Sequence, residues 1–183
     1  MRNMYQDSNP KKIPELQNLE SKELLGLFED ILNRGLTLRF EVTGRSMSPF
    51  LVSGEILITK KVPIALLHPG DLIFYKTCDG FPILHRIIRK NFSGKKYIFQ
   101  TKGDSLISMD EPVNGYDILG KVCTIEKKLS SGKIKHIDME SSLWRGINYL
   151  LAKKSLLKSK AYLSIQQCPL YPSLRSIIKK TLI

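Results

Sequence analysis

Leu36-Thr37-Leu38-Arg39-Phe40-Glu41-Val42-Thr43-Gly44 places an apolar residue at every second position, with Thr37, Arg39 and Glu41 between them. Side chains of an extended chain point alternately to its two faces, so this stretch reads as a half-buried strand that stops at Gly44. Just upstream the period is close to four. Leu24, Phe28, Ile31 and Leu32 fall on one helical face, with Ser21 as N-cap and Gly35 where a left-handed terminator belongs. Downstream, short strands are expected at Glu55–Thr59, Asp71–Lys76, Ile83–Arg89, Lys96–Thr101 and Ile118–Lys127. Turn signals separate them: Ser53-Gly54, Pro69-Gly70-Asp71, Asp79-Gly80, Ser93-Gly94 and Lys102-Gly103-Asp104. Strands this short and frequent, with no helices between them, predict a mainly β, antiparallel domain over 36–138, with the Phe92–Lys95 loop as a hairpin. It is preceded by a lead-in and one helix (1–35) and followed by a basic helical extension (139–183). Residues 1–12 read as a loosely held segment.

The 183 residues carry a net charge of +12, distributed unevenly. Residues 1–126 hold 17 basic and 15 acidic residues; residues 127–183 hold 12 basic residues against Asp138 and Glu140 alone. In that second part Leu143, Ile147, Leu150 and Leu151 form an apolar helical face from Ser141 to Gln166, with Trp144 and Tyr149 beside it. Lys153, Lys154, Lys158 and Lys160 supply charge. The prolines of Cys168-Pro169-Leu170-Tyr171-Pro172 interrupt the pattern, and a last short basic helix is expected over Ser173–Lys180. A cationic amphipathic helix suits an anionic membrane surface, or packs its apolar face on the β domain. No apolar run approaches the ~18–20 residues of a bilayer crossing, and Met1 to Lys12 lacks the apolar core of a secretory signal. A cytoplasmic or peripherally membrane-associated chain is the expectation. Cys78, Cys123 and Cys168 lie 45 residues apart, neither a zinc spacing nor a disulfide framework, so no metal or other cofactor is expected.

Four segments carry the chemistry. Ser46 follows the first strand and precedes Met47-Ser48-Pro49, a place that exposes a side chain at a sheet rim. Gly70-Asp71 starts an apolar strand. His85 interrupts Ile83-Leu84-His85-Arg86-Ile87-Ile88, and Thr101-Lys102-Gly103-Asp104 is followed by Asp110. A serine hydroxyl is a weak nucleophile until a base takes its proton, and neutral imidazole suits that role. A carboxylate on the far ring nitrogen fixes the tautomer. Ser46, His85 and either Asp104 or Asp110 supply these three roles; His68 and His136 are read as ordinary polar residues.

Taken together, from about Leu38 to Val122, the segments resemble the type I signal peptidase superfamily, which includes the self-cleaving SOS and phage repressors. Its Ser-Met-x-Pro motif is matched by Ser46-Met47-Ser48-Pro49 and its Gly-Asp strand start by Gly70-Asp71. The base divides the superfamily. His85-Arg86-Ile87 is similar to the His-Arg-Val of the archaeal and endoplasmic-reticulum branch rather than to the lysine of bacterial enzymes. That branch continues with Thr-Lys-Gly-Asp and an aspartate six residues on, as Thr101 to Asp104 and then Asp110 do here. The resemblance therefore implies a serine endopeptidase that removes a signal or leader segment after small residues. Asp110 would complete the triad, and Asp104 would be a second essential or structural acid. It also implies a coiled antiparallel β scaffold.

Gly44 stands where lysine-type enzymes can have a serine that donates to the oxyanion, and Arg45 stands at a common glycine. The oxyanion is then left to backbone N–H groups such as that of Ser46, and slow turnover is expected. A transmembrane anchor like the family's is not expected, since no apolar run in these residues is long enough to form one.

The expected partner is a peptide or precursor protein, added as a strand near Ser46. Met47, Pro49, Phe50, Ile56, Ile58 and Phe74 are candidates for its pockets or for the core behind them. The alternatives are a non-enzymatic or self-cleaving repressor-like regulator and a degenerate peptide-binding module. Nucleic acid is disfavoured as a partner, because the basic residues lack interleaved aromatics and only one helix precedes the first strand.

Overall fold

In a computed structural model that describes residues 21–129 and 131–166, the alternating stretch becomes β1 (Leu38–Glu41), at one end of an eight-stranded antiparallel sheet. The other strands are β2 (Ile56–Lys60), β3 (Leu72–Lys76), β4 (Pro82–Ser93), β5 (Lys96–Lys102), β6 (Val113–Asn114), β7 (Ile118–Lys128) and β8 (Ile134–Asp138). Their order is β1-β2-β7-β3-β4-β5-β6, with β8 paired to the outer part of β7. All the pairings are antiparallel, and β7 lies between β2 and β3, so its pairings with those two join strands that are not consecutive in the chain.

Bulges interrupt the ladder between Ile58 and Thr59, between Phe74 and Tyr75, and between Ile87 and Arg89. Each inserts a residue, bends its strand and re-aims the side chains that follow. The last of them explains a difference from expectation. β4 continues to Ser93 instead of ending at Arg89, because the bulge absorbs the break in alternation. β6 is only two residues long, too short to leave an alternating signature.

Helix α1 (Ser21–Asn33) packs on one face of the sheet. Leu25 and Leu32 are buried there with Leu38, Phe74 and Leu119, and Phe28 and Ile31 lie alongside. Gly35, with φ of +75°, donates to the Leu32 carbonyl, while Leu36 donates to that of Ile31, which ends the helix as expected. A second apolar cluster gathers Met47, Leu51, Leu57, Leu72, Val122, Ile125 and Ile137, with Trp144 at its edge. A third gathers Leu67, Ile73, Ile87, Phe99 and Ile118.

Helix α2 (Ser142–Gln166) forms where the sequence predicts it, but the face it buries is different. Asn148, Ala152, Ser155 and Ser159 are buried, whereas Leu143 and Leu150 of the expected face are exposed; Ile147 and Leu151 are half-buried. The reason is chemical. The surface beneath α2 presents the buried side chains of Arg86 and Lys102, which need polar partners that leucines cannot give. The expected segments 1–12 and 173–180 lie outside the described residues. Among the described residues no helix is long and apolar enough to cross a membrane.

Candidate active site

Beyond β1 the chain stays tied to the segment that leads into β2. The Val42 N–H donates to the Glu55 carbonyl and Gly54 donates back to that of Val42, at 2.8 and 3.0 Å. A tight turn follows, with bonds from Ser48 to the Arg45 carbonyl (3.1 Å) and from Leu51 to the Met47 carbonyl (2.9 Å). Met47 and Leu51 are buried and anchor this turn in the core. Ser46 is left half-buried on the wall of a cleft of about 560 Å³. Leu24 and Phe28 of α1, Phe40, Met47, Phe74, Leu84, His85 and Leu106 share that cleft. Of the six residues named as candidate pocket or core positions, Met47 and Phe74 line it. Phe50 packs instead under the Arg86 guanidinium, 4.6 Å away, and edge-on to Trp144.

His85 lies buried in β4, paired with Ile73 of β3. Its Nδ1 is 2.6 Å from Asp110 Oδ2. The same carboxylate oxygen accepts the Thr101 hydroxyl at 2.7 Å and the Tyr75 hydroxyl at 3.2 Å. Burial pushes the Asp110 carboxyl upward, but the bonds from His85 and Thr101 and the imidazole charge outweigh it, and its pKa is held below the ordinary value. Burial is also the main reason the Tyr75 phenol is pushed well above its usual range, so it stays a neutral donor. An ionised carboxylate only accepts hydrogen bonds, so Nδ1 is the donor in this contact and Nε2 is the ring nitrogen that it leaves free.

Gly103 shows where Nε2 points. A methyl group on this residue would lie 3.0 Å from His85 Nε2 and 2.6 Å from the Ser46 carbonyl oxygen. The imidazole and the Ser46 backbone thus meet across a residue that has room for hydrogen alone. The two loops are also tied directly, because the Ser105 N–H and hydroxyl both donate to the Ser46 carbonyl at 2.9 Å. Among the described residues no hydrogen bond joins Ser46 Oγ to His85, and the Ser46 N–H has no backbone acceptor.

The two aspartates therefore have different surroundings. Asp110 holds the imidazole, whereas Asp104 forms a two-pronged ion pair with Arg86, at 2.8 Å to Nε and 2.6 Å to Nη2. Neighbours on a strand point to opposite faces, which sends His85 toward the cleft and Arg86 toward α2. The remaining Arg86 nitrogen, Nη1, donates to the Gly70 carbonyl (3.0 Å) and to Asn148 Oδ1 of α2 (2.7 Å). Gly70 itself, at φ of +104°, touches the α2 backbone so closely that a methyl would be 2.8 Å from Asn148 C. Asp71, beside it, pairs with Lys121 at 2.9 Å, which fixes the turn to β7.

Lys102 is fully buried in β5 and donates to Ser155 of α2 at 2.5 Å. Burial lowers its pKa and Lys158 adds to the effect, with Asp104 and Asp110 opposing. This lysine faces the helix with Arg86, its cross-strand partner. His68 and His136 are both exposed; His136 lies 3.9 Å from Glu126. Among the described residues no three His, Cys, Asp or Glu side chains come close enough together to hold a metal ion.

The sequence reading did not single out Tyr75, Thr101 or Asn148. Thr101 had a signal, since it stands two positions before Gly103 and opens the same motif. Tyr75 and Asn148 had none, because each reaches the site only through strand pairing or helix docking.

Comparison of the chain with protein-family models, with curated proteins and with solved structures found no match.

Proposed function

We propose that the chain is a serine endopeptidase that resembles the histidine branch of the type I signal peptidases and cleaves a signal or leader segment from a peptide or precursor protein. One observation carries the reading. Asp110 holds one nitrogen of the His85 ring, and the other nitrogen faces Gly103 and the Ser46 backbone at the wall of an apolar cleft. Ser46 and His85, 39 residues apart in the chain, both line this cleft, and Asp110, a further 25 residues on, bonds the imidazole, which supplies the three kinds of group the mechanism needs.

In this mechanism His85 Nε2 takes the Ser46 hydroxyl proton as Oγ attacks the scissile carbonyl. Asp110 stabilises the imidazolium that results and keeps the ring oriented. The Ser46 N–H donates to the oxyanion of the tetrahedral intermediate. As the intermediate collapses, the imidazolium protonates the leaving amine, and a serine ester remains. Water, deprotonated by the same imidazole, then hydrolyses that ester.

β1 supports an extended substrate. Among the described residues it is the end strand of the sheet, so a peptide can join its outer edge as a further strand, leading its side chains into the cleft. Asp104, in this reading, braces the fold through Arg86 and does not take part in proton transfer.

The test is to incubate the full chain with leader peptides that carry small residues before the scissile bond, and to trap the acyl-enzyme by mass spectrometry. An adduct on Ser46 and cleaved product are expected, and both disappear in Ser46→Ala and His85→Ala. Undiminished cleavage by either purified variant would overturn the assignment.

A further inference from the structure

The outer face of α2 has an organisation that burial against the sheet does not explain. At 3.6 residues per turn Leu143, Leu150 and Leu157 fall within about 40° of one another, and they are 69%, 66% and 66% exposed. They form a straight apolar ridge opposite the buried stripe of Asn148, Ala152, Ser155 and Ser159. Lys153 and Lys160 flank the ridge on one side, Lys154 and Lys158 on the other. The 25-residue helix contains no Asp or Glu. Among the described residues none of these four lysines, nor Arg145, is in an ion pair.

A solvated helix face has no need of three aligned, exposed leucines, and a helix that packs on its own domain has already used its inward stripe. What remains is apolar along a line and cationic on both flanks. A second copy of the chain is a poor occupant, because joining two such ridges would bring two acid-free, five-fold cationic helices together. An anionic lipid surface satisfies both features at once: acyl chains take the leucines, and phosphate groups take the lysines at the depth their long stems reach.

We infer that α2 is a docking helix that lies flat on anionic membrane, with Leu143, Leu150 and Leu157 inserted and Lys153, Lys154, Lys158 and Lys160 at the headgroups. This rests on the helix alone and stands independently of the peptidase reading. Through Arg86 and Asn148 the helix is joined to the face of β4 opposite the one that carries His85, so docking leaves the His85 face of the strand uncovered.

The experiment is sedimentation of the full chain with two kinds of vesicle: phosphatidylcholine alone, and phosphatidylcholine in which a third of the lipid is phosphatidylglycerol. Binding to the anionic vesicles only is expected. Each lysine contributes roughly fivefold to partition, so changing all four to glutamine should weaken binding by more than a hundredfold. Leu150→Asn with Leu157→Asn should weaken it at least tenfold. All these positions are exposed, so circular dichroism and the melting temperature should stay at parental values. Binding that survives both sets of substitutions would overturn the inference, as would equal binding to neutral vesicles. It would equally be overturned by a dimer, seen in sedimentation velocity, that the leucine substitutions dissolve while vesicle binding persists.

Discussion

Replacing Gly103 by alanine perturbs the candidate site without altering any group assigned to its chemistry. The backbone of Gly103 is not left-handed, so alanine adds a methyl group and no torsional strain. That methyl would sit 2.6 Å from the Ser46 carbonyl oxygen and 3.0 Å from both His85 Nε2 and Leu106 Cδ1. Leu106 is exposed and can swing aside. The Ser46 carbonyl belongs to the backbone and is held by two bonds from Ser105, so it has to move as a loop. Carbon and carbonyl oxygen ordinarily meet at about 3.3 Å, which requires a retreat of roughly 0.7 Å. A displacement near 1 Å in reacting groups costs on the order of 10²-fold in rate. Overpacking of this size costs about 1–3 kcal/mol in stability, which leaves most of the molecules folded. The assay is the rate of acyl-enzyme formation with a leader peptide, followed by mass spectrometry alongside the thermal midpoint. The expectation is a ~10²-fold slower acylation at a modestly lower midpoint. Acylation at the parental rate with an unchanged midpoint would refute the contact between the serine loop and the imidazole.

On the proposed mechanism Asp110→Asn removes the charge that steadies the imidazolium and should lower kcat by about 10⁴-fold, measured in the same acylation assay. Because the Asp110 pKa is depressed in the fold, its ionised form contributes stability above the unfolded carboxyl value, about pH 4, and that contribution is lost as pH falls through the folded value. The stability difference between wild type and Asp110→Asn, read by urea unfolding, should therefore shrink on acidification; a difference independent of pH would contradict the linkage. Lys102→Met removes a buried charge that faces α2, so activity should persist with an equal or higher midpoint. Loss of acylation to the level of Ser46→Ala would make this lysine the base instead of His85. Arg86→Met leaves the Asp104 carboxylate without its partner and should cost about 3–5 kcal/mol in urea unfolding; an unchanged midpoint would show that the Arg86 hub does not hold α2 and the sheet together.

Much of the local structure was legible in the residues. The alternation of Leu36 to Val42, the near-four period of α1 and the glycine turns located most of the strands and both helices, because period and turn chemistry act over a few neighbouring residues. Motif spacing placed Ser46, His85 and the two aspartates as one set. Local pattern could not say which aspartate meets the imidazole. That depended on the β4–β5 pairing, which sets Arg86 opposite Lys102 on one face and leaves Thr101 on the other, with Asp110 brought back beside it by its N–H bond to the Thr101 carbonyl at 3.0 Å.

The sequence by itself therefore determined the class of fold and the kinds of group available for chemistry, since both follow from short-range periodicity and residue type. Tertiary structure alone decided their partners. Asp110 went to the imidazole and Asp104 to Arg86, because a strand's two faces lead to different neighbours. Likewise α2 buried its asparagine and serines in place of its leucines, because the surface it met held two cations that only polar groups could satisfy.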